Sequence, residues 1–275
     1  MSQKKQVLVD VEKALMAKTK GKKPSKLVVF FLKKIAHQND INYFLTSHPT
    51  EQGLDFLEEG LKYLQVKLEV EGIDNVPKNK RYVFVSNHPL GGLDGMALGH
   101  FLGRQFGGKI KFLSNDILMN LQALHCLFIP INKHGSQGKK SAEIFNETFE
   151  SDEQLLIYPA GMCSRMQNRR VYDLEWKKSF VTKAVQYKRD IVPIYFDARN
   201  SRFFYTLANI RRFLKIKLNI EMLFLVDEMF KQRNKTFKAY IGKPIPWESL
   251  DNSKTSNQWA IEIKKTVYKL SKAKD

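Results

Sequence analysis

Reactive side chains concentrate in one stretch, Ser86-Asn87-His88-Pro89-Leu90-Gly91-Gly92-Leu93-Asp94. An imidazole has an unperturbed pKa of about 6.5, so His88 can take up a proton at cellular pH. A carboxylate on the other ring nitrogen fixes the tautomer and stabilises the imidazolium as it forms, and Asp94 is the acid placed to supply it. Gly91 and Gly92 allow a tight backbone path and leave amide N–H groups to face a developing oxyanion. The set points to general-base chemistry in which the nucleophile is the substrate's own hydroxyl or amine. Taken alone, the same spacing also fits a strand-end histidine that satisfies its own loop.

A second stretch, Tyr158-Pro159-Ala160-Gly161-Met162-Cys163-Ser164-Arg165, offers a rigid turn, a glycine, a hydroxyl and a guanidinium. A forked pair of hydrogen bonds from Arg165 suits a carboxylate or a phosphate, against the alternative of a surface arginine after a turn. Cys163 raises a covalent alternative, because a thiolate is a strong nucleophile. The expected reading is instead a small buried thiol.

The elements that must hold these residues follow from periodicity. Apolar residues alternate through Leu64, Val66, Leu68 and Val70, a half-buried strand. Arg81 to Ser86 is more continuously apolar and so more central, and it delivers His88 at its end. Helices are expected from Asp94 through Phe101, over Asp116 to Leu127, Ser141 to Glu150, Leu174 to Lys188, and Ser256 to Leu270. Strands are expected at Lys109 to Leu113, Phe128 to Ile131, Gln154 to Tyr158, Ile191 to Phe196, and Phe237 to Ile241. The alternation predicts an α/β fold: a mixed, mostly parallel sheet flanked by helices, with sites where strands end. Ahead of it, Val9 to Met16 and Leu27 to Ile35 read as an amphipathic helical pair around a lysine-rich break. The expected division is 1–60 for N-terminal helices that touch a membrane surface and 61–275 for the α/β domain.

Taken in order, the two blocks resemble the glycerolipid acyltransferase superfamily, which includes the lysophosphatidic acid acyltransferases. That family carries Asn-His, four residues, then Asp, followed by a Phe-Pro-Glu-Gly-Thr-x-Ser-Arg block. Ile131-Asn132-Lys133 is similar to an intervening family block, and Val192-Pro193 to a later one. The chain departs in three ways: five residues separate His88 from Asp94, Ala160 replaces the family's Glu, and Met162 its Thr. These forms are closer to a bacterial branch linked to O-acylation of lyso-aminolipids such as lyso-ornithine or lyso-glycine lipids. Ile35 to Asn42 and Tyr195 to Tyr205, with Arg199-Asn200-Ser201, resemble that branch too.

The resemblance implies direct acyl transfer from an acyl carrier protein or coenzyme A thioester. His88 is then the base and Asp94 its orienting acid. Amides near Gly91 and Gly92, or near Gly161, hold the oxyanion. Arg165, Ser164 and Lys133 bind the acceptor. The expected acceptor is a lyso-lipid, a lyso-aminolipid first and lysophosphatidic acid second. No cofactor and no metal site is expected.

Composition sets the partners. The chain has 275 residues and 43% hydrophobic content, enough for a sizeable core. It carries 46 Lys plus Arg against 28 Asp plus Glu, a net charge of +18, which calls for an anionic partner. An anionic membrane surface and acyl carrier protein are the expected ones. Phe30, Phe31 and Leu32 among lysines fit a helix lying in a bilayer interface, and Ser201 to Leu225 is a second such segment. A non-catalytic basic protein binding membrane or nucleic acid is the reading from another class. No helix-turn-helix, RNP-like or zinc-finger signature supports nucleic acid. The two cysteines lack metal spacing, and Leu27 to Leu32 is far short of the roughly 20 apolar residues of a membrane span. The protein is therefore read as cytoplasmic and peripheral on the inner face of the cell membrane.

Overall fold

The computed structural model describes residues 7–18, 23–114, 121–130, 135–167 and 169–271. Four helices come first: α1 (Val11–Lys18), α2 (Lys26–Ile35), α3 (Gln38–Ser47) and α4 (Gly53–Tyr63). Then follow β1 (Lys67–Glu71), β2 (Tyr82–Ser86), α5 (Gly92–Gln105), β3 (Ile110–Ser114), β4 (Phe128–Pro130), α6 (Gly135–Glu150) and β5 (Gln154–Ile157). The chain continues through β6 (Arg165–Gln167), β7 (Arg170–Tyr172), α7 (Ser179–Gln186), β8 (Asp190–Asp197), α8 (Arg202–Phe213), α9 (Leu225–Phe230), β9 (Thr236–Ile241) and α10 (Ser256–Leu270).

Seven strands form one sheet in the order β1-β9-β8-β2-β5-β3-β4, while β6 and β7 make a separate hairpin. Every pairing in the large sheet is parallel except β8 with β9. β2 lies between β8 and β5, and all five of its residues are buried. Its pleat divides the core in two. Tyr82 and Phe84 pack with Leu57 of α4 and Leu93 and Leu98 of α5. Val83 and Val85 pack with Phe149 of α6, Phe180 of α7 and Ile263 of α10. Both faces of a parallel sheet must be covered, which is why β2 reads as a continuous apolar run. The expected mixed, mostly parallel sheet with flanking helices is what forms.

The N-terminal edge of the sheet is pinned by Arg189, a fully buried arginine. Its guanidinium donates to the carbonyls of Phe149, Glu153 and Ser151 at 2.8, 2.7 and 2.5 Å. Burial pulls its pKa down to about 10. The site lies at the opposite, C-terminal edge.

Two expected helices change. Of the one expected over Asp116 to Leu127, the described part holds only the single 3₁₀ turn Gln122–Leu124. The one expected over Leu174 to Lys188 shortens to α7, because the residues before it form a strap across the second motif. There the Trp176 indole N–H donates to Asp173 Oδ2 at 2.8 Å, and Lys177 N–H to Pro159 O at 3.1 Å. α3, α4, α8, α9 and the β6–β7 hairpin were not expected as such. The N-terminal helices share the main core, since Phe44, Leu45, Phe56 and Leu57 pack in the same cluster as Phe84 and Leu156.

Candidate active site

Parallel neighbours deliver the two motifs side by side. Val85 of β2 is registered with Ile157 of β5, so the chain leaves both strands at the same edge, toward His88 and Tyr158. The rings of His88 and Tyr158 stack at 4.1 Å with 26° between their planes. On the other side, Asn87 closes the gap to β8: its Nδ2 donates to Phe196 O at 2.9 Å and its Oδ1 accepts from Phe196 N at 2.7 Å. One amide side chain thus supplies both halves of a missing strand pairing and fixes the exit from β2.

His88 and Asp94 meet. Nδ1 and Oδ1 are 2.9 Å apart, with the carboxylate fully buried and the imidazole 18% exposed. The N–H direction is off the line to the oxygen, so neither atom has an aligned hydrogen-bond partner. Such contacts commonly tighten when substrate binds. The second carboxylate oxygen, Oδ2, accepts from Leu90 N–H at 2.9 Å. The loop between His88 and Asp94 turns at Gly91, whose φ of +78° only glycine adopts cheaply. A Cβ there would also sit 2.9 Å from Cys163 Sγ.

Burial of the imidazole lowers its pKa, but the Asp94 carboxylate, helped by Asp173, more than offsets this and holds it above the ordinary histidine value. A base with a raised pKa is active only in its neutral form, so the rate should climb as pH rises through that value. Replacing Asp94 with asparagine leaves burial dominant, and the acidic limb of the kcat/KM profile should move to lower pH. With the orienting charge gone, the plateau should fall by about 10²-fold or more. Measured profiles between pH 5 and 9 check both, and an unmoved limb would refute the pairing.

The remaining expected residues are placed less simply. Gly92 opens α5, where first-turn amides lack helical acceptors, and open space lies beside its Cα. The Gly161 amide instead donates to Tyr158 O at 2.9 Å, closing the turn. Ser164 is buried: its N–H donates to His88 O at 2.8 Å and its Oγ to Asp173 Oδ1 at 2.5 Å. Arg165 is turned inward, donating to Cys163 O at 2.7 Å and to Glu221 Oε1 at 3.0 Å. Glu221, itself fully buried, also contacts Arg211 Nε at 2.9 Å. Lys133 lies outside the described residues. Burial, with the nearby Asp94, pushes the Cys163 thiol up to about 12, so the thiolate that a covalent route requires is disfavoured.

Three residues of the site had no sequence-based role. Asp173 joins both motifs, accepting from Ser164, from Trp176 and, at 3.2 Å, from the His88 backbone N–H. α10 braces it: Tyr268 Oη accepts from Asp173 N–H and Lys264 Nζ donates to Asp173 O, each at 2.8 Å. Tyr158 carries a buried hydroxyl without an aligned partner, and burial pushes the phenol well above its usual pKa, so it stays a neutral donor. Glu221 pairs with Arg165 and with Arg211. Only Tyr158, next to the Pro-Ala-Gly turn, had a signal in the sequence.

Comparison with known proteins decides the family. A family model described as Acyltransferase matches residues 11–275. The chain belongs to this acyltransferase family. It is similar to a lyso-glycine lipid O-acyltransferase of Bacteroides thetaiotaomicron, 54% identical over 265 residues, covering 96% of this chain and 97% of that one. It is also similar to a lyso-glycine lipid O-acyltransferase of Phocaeicola vulgatus, 50% identical, covering 96% and 95% respectively. Among solved structures, the crystal structure of a 1-acyl-sn-glycerophosphate (LPA) acyltransferase from Thermotoga maritima matches with a TM-score of 0.51 and 15% identity over 94% of this chain and 88% of that one. That likeness is one of fold. Membership of an enzyme family replaces the reading of the acyltransferase as a non-catalytic basic binding protein.

Proposed function

We propose that this acyltransferase moves a fatty acyl group from an acyl carrier protein thioester to the hydroxyl of a lyso-aminolipid. The 2.9 Å contact between His88 Nδ1 and the buried Asp94 carboxylate carries the reading. Nε2 has no protein hydrogen-bond partner among the described residues and faces the substrate. It takes the proton of the acceptor hydroxyl, whose oxygen attacks the thioester carbonyl. The oxyanion lies against the amides at Gly91 and Gly92, preferred over Gly161 because that amide is already committed to the turn. Collapse breaks the C–S bond, and the leaving thiolate takes the proton back from His88.

The acceptor reading rests on the relatives' names and on Arg165. With its guanidinium paired to Glu221 inside the protein, Arg165 serves as a positioning residue, as does Ser164. Neither is presented to a glycerol phosphate, which makes lysophosphatidic acid the second reading. Incubating the purified enzyme with each acyl donor and each lyso-lipid, with product mass spectrometry, tests this. Diacylated aminolipid is the expected product, and formation of phosphatidic acid alone would overturn the assignment.

We also read the acyltransferase as peripheral on an anionic membrane. No described helix is long and apolar enough to cross a bilayer. Leu27, Phe30 and Phe31 of α2 are 80, 70 and 57% exposed beside Lys26, Lys33 and Lys34. Phe203, Ile210, Phe213 and Leu214 make a second exposed apolar stripe on α8. His37, just after α2, ties that region to α9, stacking on Phe230 at 4.1 Å and contacting Asp227 at 3.1 Å. Leu27→Glu with Phe30→Glu should release the protein from anionic vesicles in sedimentation, and unchanged pelleting would exclude α2 as the anchor.

A further inference from the structure

α8 has a second, polar face, on which Arg202, Thr206 and Arg212 are exposed while Tyr205 is buried at its base. Arg202, Tyr205, Thr206, Asn209 and Arg212 are spaced 0, 3, 4, 7 and 10 residues along it, so they share one face. That face borders a groove of about 690 Å³ whose opposite wall includes Met166 and Gln167 of β6 and Arg169. Among the described residues, no acidic side chain lines the groove. Arg169 and Arg202 make no ion pair among the described residues, and Arg212 reaches only the amide oxygen of Asn209. Elsewhere the neighbouring arginines have an acidic partner, since Arg165 and Arg211 share the carboxylate of Glu221.

The groove is mechanically joined to the reaction centre. Tyr205 lines it, and its hydroxyl accepts from Asn200 N–H at 3.0 Å. The Asn200 side chain then donates to Pro89 O, next to His88, at 3.1 Å. Ser164 touches His88, and Gln167 is three residues further on, a step of roughly 10 Å in extended chain. An anion held in the groove is therefore offset from the reacting carbonyl, which suits a group on a long arm.

We propose that this groove binds the phosphate of a phosphopantetheine thioester, the group that coenzyme A and the prosthetic arm of a carrier protein share; this rests on the thioester reading given above. Three unneutralised guanidiniums match a phosphate better than the single carboxylate of a lyso-aminolipid. The flexible pantetheine arm spans the offset. α8 then separates the two substrates, its apolar stripe toward lipid and its basic stripe toward the water-soluble donor.

Calorimetry with unacylated coenzyme A and with dephosphorylated pantetheine tests the site without catalysis. In Arg202→Gln/Arg212→Gln, checked for folding by thermal melting, the Kd for coenzyme A should rise about tenfold or more, with no matching change for pantetheine. In kinetics, the preference of the parent enzyme for phosphorylated donors over the acyl-pantetheine thioester should collapse in the variant. A collapse with acyl carrier protein alone assigns the phosphate to the carrier, and one with both donors assigns it to the shared group. An unchanged coenzyme A Kd together with an unchanged donor KM overturns the proposal, as does a KM increase confined to the lyso-lipid. Arginine-dependent coenzyme A binding in an enzyme that transfers no acyl group would keep the groove and refute the proposed function.

Discussion

His88→Ala is expected to lower kcat/KM by roughly 10²- to 10⁴-fold, the usual contribution of a positioned general base. The fold should survive. The side chain being removed is partly exposed, and its ring contact among the described residues is a stack on Tyr158. Such a contact contributes about 1 kcal/mol. The backbone bonds that shape the loop, His88 N–H to Asp173 and Ser164 N–H to His88 O, do not involve the imidazole. Asp94 keeps the Leu90 amide as a donor. Steady-state kinetics beside a thermal melt separate the two effects. Turnover near the parent rate in a folded variant would end the mechanism.

Asp173→Ala is expected to give the largest loss of stability. The change removes the acceptor of three buried or partly buried donors at once: His88 N–H, Ser164 Oγ–H and Trp176 Nε1–H. Each orphaned donor costs about 1–3 kcal/mol, and because they share one acceptor the costs do not simply add. A total of about 3–5 kcal/mol follows, which lowers the melting temperature by roughly 10 °C. Activity should fall with it, because the first and second motifs are no longer tied together. Asp173→Asn keeps an oxygen acceptor and should recover part of the loss. A melting temperature for the alanine variant within about 2 °C of the parent would show that Asp173 is not the hinge of the site.

What the sequence revealed of the site was its local part. His88 and Asp94 are six residues apart, so a strand end, a glycine turn and a helix start suffice to bring them together. The fate of Arg165 depended on Glu221, 56 residues away, whose surroundings carry no signal that it would be buried. Asp173 gathers donors from 85 residues before it, and α10 reaches it from 95 after, and no short-range pattern encodes that. The fold behaved in the same way. β2 and β5 were legible as continuous apolar runs, and α10 because its apolar residues recur at helical spacing over its whole length. β6 and β7 span three residues each, too few for any period to register. The segment at Leu174 looked helical by composition, yet Trp176 and Lys177 bind the second motif instead.

The brace from α10 also sets an order of events during synthesis. Tyr268 is made 95 residues after Asp173, which at about 5–20 residues per second is roughly 5–20 s later. Until then α2, with its exposed phenylalanines and lysines, is already available to lipid, while the loop holding His88 lacks its final support. If α2 is the anchor proposed above, a ribosome-bound chain would reach the bilayer before it could react there.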